Sequence, residues 1–151
     1  MLYQLKRTQL VQTDLETCWN FFMDPANLGE ITPDYMNFRV LTEQPELAYE
    51  GLIIHYRMSP VLKIPLRWTT EITHIKEGKY FVDEQRKGPY RMWHHEHHFE
   101  ETAAGVMMTD LVSYIVPFGV LGRLANWLFV RRQLEGIFNY REQVINRQFQ
   151  R

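Results

Sequence analysis

Apolar residues recur at three- and four-residue steps along the segment Phe118–Arg147. This spacing places them on one face of an α-helix. The pattern therefore predicts one long amphipathic helix at the end of the chain. We expect the side that carries Leu124, Leu128, Phe138 and Ile145 to pack against the rest of the protein.

Before this helix, apolar and polar residues mostly alternate, which is the period of a half-buried β-strand. Turn residues such as Glu77-Gly78 and Ala104-Gly105 separate the alternating segments. The short connections favour an antiparallel meander. Seven strands are predicted: Leu2–Val11, Met36–Thr42, Glu50–Met58, Leu66–Ile75, Lys79–Gln85, Tyr90–Glu100 and Val106–Val116.

Two short helices are predicted after the first strand. Thr13-Asp14 and Glu16 supply a cap and an acidic first turn for a helix over Leu15–Met23, and Ala26–Ile31 is a second candidate. The element order predicts a single α+β domain over residues 1–151. In this fold a curved antiparallel sheet of about seven strands wraps around the C-terminal helix.

Composition excludes some classes of partner. Lys and Arg together number 17 against 18 Asp and Glu, so no overall field attracts nucleic acid, and none is predicted as a partner. Aromatic residues make up 14% of the chain, enough to line a core or a cavity. A ligand recognised inside a pocket fits this composition better than one bound by surface charge.

The lone cysteine, Cys18, excludes an internal disulfide, and the N-terminal residues lack the features of a signal peptide, so we expect a cytoplasmic protein. The segment Leu111–Val130 approaches the length and apolarity of a membrane span, but Pro117, Gly119 and Gly122 interrupt it. A strand followed by a helix explains this segment better than a span.

The densest cluster of candidate chemistry is the run RMWHHEHHFEE at Arg91–Glu101. Side chains alternate between the faces of a strand, so Trp93, His95, His97 and Phe99 share one face, and the opposite face is mostly polar. The aromatic members favour the inner face. The sequence therefore predicts that His95 and His97 point into the protein.

A carboxylate interrupts the apolar strand that follows. Asp110 shares a face with Met108 and Tyr114, where a charged group is costly unless it is paired. The preceding strand of the same hairpin offers His95 and His97 as partners. An alternative is that Asp110 points to solvent near the end of its strand.

Three interpretations of the histidine pair remain. A His-x-His pair could hold a metal with Asp110, Asp83 or His55 as third ligand, although no metal motif such as HExxH or CxxC is present. One histidine could instead exchange a proton with a bound carbonyl compound while Asp110 orients it. Third, the histidines and Asp110 could form a satisfied polar patch that holds an oxygen of a ligand. We predict the third, with no metal and no cofactor.

These residues also carry a family resemblance. The pattern Gly88-Pro89, Trp93-x-His95-x-His97-x-Phe99 and Met108-x-Asp110 resembles the SRPBCC superfamily, in particular its bacterial ligand-binding branch. That superfamily includes START domains, the birch-pollen allergen and relatives of polyketide cyclases and coenzyme Q-binding proteins. The resemblance covers nearly the whole chain. It implies the helix-grip fold, generally no dependence on a metal, and a deep cavity between sheet and helix that usually holds a hydrophobic small molecule.

Strand alternation then indicates which residues face this cavity. The predicted ligand-binding residues are Tyr56, Trp68, Thr70, Trp93, His95, His97, Phe99, Met108, Asp110, Tyr114 and Leu128.

We interpret the protein as a binding module for a hydrophobic or aromatic small molecule of a lipid-, polyketide- or quinone-like kind. One alternative is an enzyme related to polyketide cyclases and dehydratases, in which His95 or His97 acts with Asp110 in proton transfer. The other is a carrier of a lipid or quinone that contacts a membrane transiently through the apolar turn at Pro117–Leu121.

Overall fold

The computed structural model describes residues 1–61 and 63–150. Within these residues, seven strands form one antiparallel sheet in the spatial order β1-β7-β6-β5-β4-β3-β2. The strands are β1 (Tyr3–Val11), β2 (Arg39–Val40), β3 (Ile53–Val61), β4 (Ile64–Lys76), β5 (Tyr80–Lys87), β6 (Met92–Thr102) and β7 (Gly105–Ile115). Strands β2 to β7 form the predicted meander, and β1 pairs with β7 as the edge strand of the sheet.

The segment between β1 and β3 differs in part from the prediction. Helix α1 spans Leu15–Met23 as expected, and its N-cap Asp14 accepts a hydrogen bond from the backbone N–H of Thr17. The second helix is only a 3₁₀ turn over Pro25–Leu28. The strand predicted over Met36–Thr42 is reduced to the two residues of β2, because a second 3₁₀ turn, Asp34–Met36, and a left-handed Asn37 precede it.

A continuous helix ends the chain, as predicted, but its middle is wider than an α-helix. It consists of α2 (Gly119–Ala125), a π-helical turn (Asn126–Val130) and α3 (Arg131–Phe149). Gly122 of α2 lies against the loop that follows β7, where a Cβ on Gly122 would meet the carbonyl oxygen of Pro117 at 1.9 Å. Only glycine allows this approach.

The π turn overturns one prediction. Four α-helical turns of about 3.6 residues, counted back from the buried Phe138, lead to Leu124. The π turn adds a residue, so the buried face moves to Gly122 and Asn126 instead. Leu124 and Leu128, which we expected to face the sheet, are 52% and 44% exposed.

Phe138 and Ile145 are buried as predicted, in two different parts of the core. Ile145 packs with Trp19 of α1 and Met108 of β7. Phe138 packs with Leu134 and with residues of β7. The fold is therefore the predicted α+β arrangement of an antiparallel sheet with a long C-terminal helix. Among the described residues, no helix has both the length and the apolar character needed to cross a bilayer.

Candidate ligand cavity and its buried polar cluster

A cavity of about 570 Å³ lies between the sheet and the terminal helix. Its volume is within the range of about 300–1,000 Å³ that is typical of small-molecule sites. Most of the lining is apolar or aromatic, including Ile54, Met58, Trp68, Trp93 and Phe138. Such a lining suits a hydrophobic ligand.

Aromatic rings from β3, β4 and β6, with one from the loop before β6, form one wall of the cavity. Trp68 lies parallel to Tyr56 with ring centroids 6.0 Å apart, and perpendicular to Trp93 at 5.3 Å. Tyr90 contacts both tryptophans. Because these rings support one another, the wall is held in a defined shape.

Strand register assembles a polar cluster at another part of the lining. Asp83 on β5 lies opposite His95 on β6, and His97 on β6 lies opposite Asp110 on β7. Arg141 of α3 reaches the same place from the helix. We call these five residues, which come from three neighbouring strands and the helix, the polar cluster.

The two histidines are held between the two carboxylates. His95 Nε2 lies 2.8 Å from Asp110 Oδ1, and His97 Nε2 lies 2.6 Å from Asp83 Oδ2. Their Nδ1 atoms are farther from the second carboxylate, at 3.4 Å between His95 and Asp83 and 3.2 Å between His97 and Asp110. The shortest contacts therefore pair each histidine with a different aspartate.

Arg141 and aromatic rings complete the surroundings of the cluster. Arg141 Nη2 lies 3.4 Å from Asp110 Oδ1, and its guanidinium packs over the rings of Phe22 and Phe138. The imidazole of His97 stacks on the ring of Phe81, with centroids 4.0 Å apart. The ionic groups are thus enclosed by apolar surface.

Burial opposes charge in this cluster, but the partners decide the ionisation states. For Asp110, the charge of Arg141 and hydrogen bonds from both histidines overcome burial and hold its pKa well below the usual range. Burial would raise the pKa of Asp83 as well, but its interaction with His95 and the hydrogen bond from His97 outweigh burial and lower it. Both carboxylates are therefore ionised near neutral pH.

The two histidines shift in opposite directions. Burial, aided by repulsion from His97, lowers the pKa of His95. For His97, burial is outweighed by hydrogen bonds to Asp110 and Asp83, which raise its pKa. A proton shared by the two histidines is therefore held on His97 in preference to His95.

These ionisation states predict a pH dependence of stability. The folded protein holds the His97 proton more tightly than the unfolded chain, whose His pKa is about 6.5. The tighter binding of this proton stabilises the folded protein. The stabilisation is fully present below pH 6.5 and is lost as the pH rises through the raised pKa of His97. The lowered pKa of His95 reduces the free energy of unfolding only below pH 6.5, because there the unfolded chain binds a proton at this residue more readily than the folded protein does. We expect the free energy of unfolding to fall as the pH increases above 6.5.

Urea denaturation at several pH values from 6.5 to about 8, below the range in which the unfolded chain loses the Cys18 proton, tests this expectation. His97→Gln should remove the fall with pH. His98→Gln changes a histidine on the outer face of the same strand and should retain it. An unchanged pH slope in His97→Gln would contradict the assignment of the proton to His97.

The structure brings six of the predicted ligand-binding residues to the cavity wall: Tyr56, Trp68, Thr70, Trp93, His95 and His97. Their part in binding remains a prediction. The other five do not line the cavity: Phe99, Met108, Asp110, Tyr114 and Leu128.

Each of these five has a physical reason to lie elsewhere. Phe99 and Met108 belong to the core around α1. Asp110 lies behind the histidines, and the buried Tyr114 donates its hydroxyl to Asn126 Oδ1 at 2.9 Å. Leu128 lies on the exposed side of the helix.

Two members of the polar cluster were not predicted in their present role. Asp83 was considered only as a metal ligand, and Arg141 was not singled out at all. The sequence pattern does predict the burial of Arg141. This residue lies three residues after Phe138 and four before Ile145, on the buried face of the helix.

A metal site requires a separate test. One ligand atom from each of Asp83, His95 and His97 lies within 4.8 Å of the others, so Asp83 is the third ligand that the geometry offers. Asp83 and His97 already form a hydrogen bond, and the raised pKa of His97 favours a proton over a metal on its ring. We still predict that untagged protein, purified without chelators, contains far less than one zinc or iron per chain. About one equivalent by elemental analysis would contradict this.

No family model matches the sequence, and no curated protein is detectably similar to it. Solved structures, however, share its fold. A START superfamily protein from Mycobacterium smegmatis is 11% identical with a TM-score of 0.68, over 96% of this chain and 98% of its own. A protein from Arthrobacter aurescens, solved by NMR, is 11% identical with a TM-score of 0.70, over 95% of this chain and 86% of its own.

A plant protein has the same architecture. Major latex-like protein 151 from Panax ginseng is 16% identical with a TM-score of 0.60, over 90% of this chain and 97% of its own. At such identities the likeness concerns the fold alone. It confirms the SRPBCC-type fold that the sequence motifs indicated.

Proposed function

We propose that the protein binds a hydrophobic or aromatic small molecule in the cavity between the sheet and the terminal helix. The observation that carries this proposal is the cavity itself, about 570 Å³ with a mostly apolar lining and polar groups confined to a few places. An apolar molecule gains about 25 cal/mol for each Å² of surface that leaves water on entering such a site. The SRPBCC-type fold supports the same proposal.

The polar cluster gives the ligand an orientation. Asp83, His95, His97 and Arg141 line the cavity, so a polar group of the ligand is most stable beside them. The remaining lining accommodates the apolar part of the molecule. In this proposal the histidines position the ligand and do not react with it.

A pair of neighbouring isoleucines allows a controlled test. Ile54 is buried and lines the cavity, whereas Ile53 is exposed on the other face of β3. Ile54→Trp should fill part of the cavity and weaken binding of the neutral fluorescent probe Nile red at least tenfold. Ile53→Trp should leave the affinity close to that of the wild type. Near-UV circular dichroism checks that both variants keep their packing.

Equal affinity of the wild type and Ile54→Trp would show that the probe binds elsewhere. Failure of the wild type to bind Nile red or any other neutral polycyclic probe would contradict the proposal.

A second candidate function, exchange of the ligand with a membrane, is favoured by an apolar surface on the terminal helix. Seven large apolar side chains are exposed there: Phe118, Val120, Leu121, Leu124, Trp127, Leu128 and Phe129. We call these seven residues the apolar patch. Phe118 and Trp127 are 82% and 78% exposed. A patch of this kind is typical of an interaction site.

Charge and position indicate a membrane as its partner. Arg123, Arg131 and Arg132 lie within or next to the patch, and the sequence has no acidic residue between Asp110 and Glu135. Basic residues beside exposed Trp and Phe are typical of segments that lie in an anionic membrane interface. Phe118 and Leu121 also line the cavity, so the patch lies at the cavity opening.

Flotation with vesicles of phosphatidylcholine and phosphatidylglycerol tests this second function. The wild type should float with anionic vesicles, and the variant Leu121→Ser/Trp127→Ser should remain at the bottom. Tyr35→Ser/Leu41→Ser removes two exposed residues outside the patch and should float like the wild type. Equal flotation of all three proteins, or of none, would contradict a membrane role for the patch.

A further inference from the structure

Two hydrogen-bond donors in the cavity wall have no partner among the described residues. They are Nε1 of Trp68 and Nε of Arg141, both fully buried as atoms. The two residues are 6% and 8% exposed, and both line the cavity. A buried donor without an acceptor is unfavourable, so such groups normally have one.

The surroundings of each donor leave room for only a limited set of acceptors. Trp68 is enclosed by the rings of Tyr56, Tyr90 and Trp93. Arg141 directs Nη2 to Asp110, while its guanidinium packs over aromatic rings. A ligand in the cavity can approach both residues, because both belong to its wall.

The charge of the polar cluster restricts the acceptor further. Asp83 and Asp110 already place two carboxylates beside the histidines, and Arg141 pairs with Asp110. A carboxylate on the ligand would add a buried negative charge without a new counterion. An uncharged oxygen, such as that of a ketone or an amide, accepts a hydrogen bond without this cost.

We propose that the ligand is an uncharged hydrophobic molecule whose carbonyl oxygen accepts a hydrogen bond from one of the two unpartnered donors, Nε of Arg141 or Nε1 of Trp68. This inference rests on the proposed function, since it concerns the same cavity. It adds the chemical class of the ligand: a neutral carbonyl compound, as opposed to a pure hydrocarbon or a carboxylic acid. The donors supply selectivity, and the apolar lining supplies most of the affinity.

Three probes of similar shape separate these classes. Fluorene has no acceptor oxygen, 9-fluorenone has one carbonyl, and fluorene-9-carboxylate is an anion. We expect calorimetric titration at pH 7 to show that fluorenone binds about tenfold more tightly than either of the others, as a hydrogen bond to a charged donor implies.

Variants test whether the two donors cause this preference. Trp68→Phe/Arg141→Met removes both donor groups and retains an aromatic ring and a long unbranched side chain. In this variant fluorenone and fluorene should bind equally well. The control Trp127→Phe/Arg132→Met makes the same changes at exposed positions and should retain the tenfold preference. Because the readout is a ratio of affinities within one protein, a loss of stability in the variant does not imitate the result.

Each contrary outcome is distinct. If fluorene binds as well as fluorenone to the wild type, the inference is wrong while the cavity still binds hydrophobic molecules. If the carboxylate binds most tightly, the ligand is an anion and the charge argument fails. If the double variant keeps the preference, other groups recognise the carbonyl. If no probe binds, the proposed function fails together with the inference.

Discussion

Replacement of Asp110 by alanine is expected to lower the free energy of unfolding by about 3–5 kcal/mol. Asp110 accepts hydrogen bonds from His95 and pairs with His97 and Arg141 in a buried site. Without it, the guanidinium of Arg141 loses its carboxylate partner and His95 loses a hydrogen-bond partner, both in a buried site. Urea denaturation at pH 7 measures the change.

A matched control is Glu96, a carboxylate on the opposite face of the same sheet that pairs with His98 at the surface. Glu96→Ala should cost less than about 1 kcal/mol, as exposed ion pairs do. If Asp110→Ala cost no more than Glu96→Ala, Asp110 could not be the buried counterion of the cluster.

The second large effect concerns which face of the terminal helix is buried. Ile145 is 1% exposed and lies in the core around α1, away from the cavity lining. Ile145→Ala should cost about 2–5 kcal/mol through lost burial and a residual void. Leu128→Ala, by contrast, should change stability by about 0.5 kcal/mol or less, because Leu128 is turned to solvent.

The pair of variants tests the exposure that the structure gives to Leu128. The apolar spacing of the sequence predicts that Leu128 faces the sheet, whereas in the structure it lies on the exposed side of the helix. A cost for Leu128→Ala similar to that for Ile145→Ala would contradict the structure.

Local patterns were sufficient to predict most of the sheet. Alternation in β6 identified the inward face that carries His95 and His97, and the turn at Ala104-Gly105 identified β7 as its neighbour. The long helix was also evident from its period. The π turn was not, since the residues of Asn126–Val130 show no pattern that distinguishes a π turn from an α turn.

The polar cluster was only partly predictable for a similar reason. Asp110 stands alone in an apolar strand, so its burial was a sound inference. Asp83 is followed by Glu84 and Gln85, and nothing local indicates which of these polar side chains turns inward. Irregular pairing between β4 and β5 sets the register there, and it depends on the whole sheet.

Native mass spectrometry of the protein purified from its own host tests the central proposal most directly. If the cavity holds a hydrophobic small molecule, the folded protein should carry an additional mass of a few hundred daltons that disappears on denaturation. Ile54→Trp should lose this mass and Ile53→Trp should keep it. The bare chain mass alone, in a folded sample prepared without detergent or organic solvent, would contradict the account.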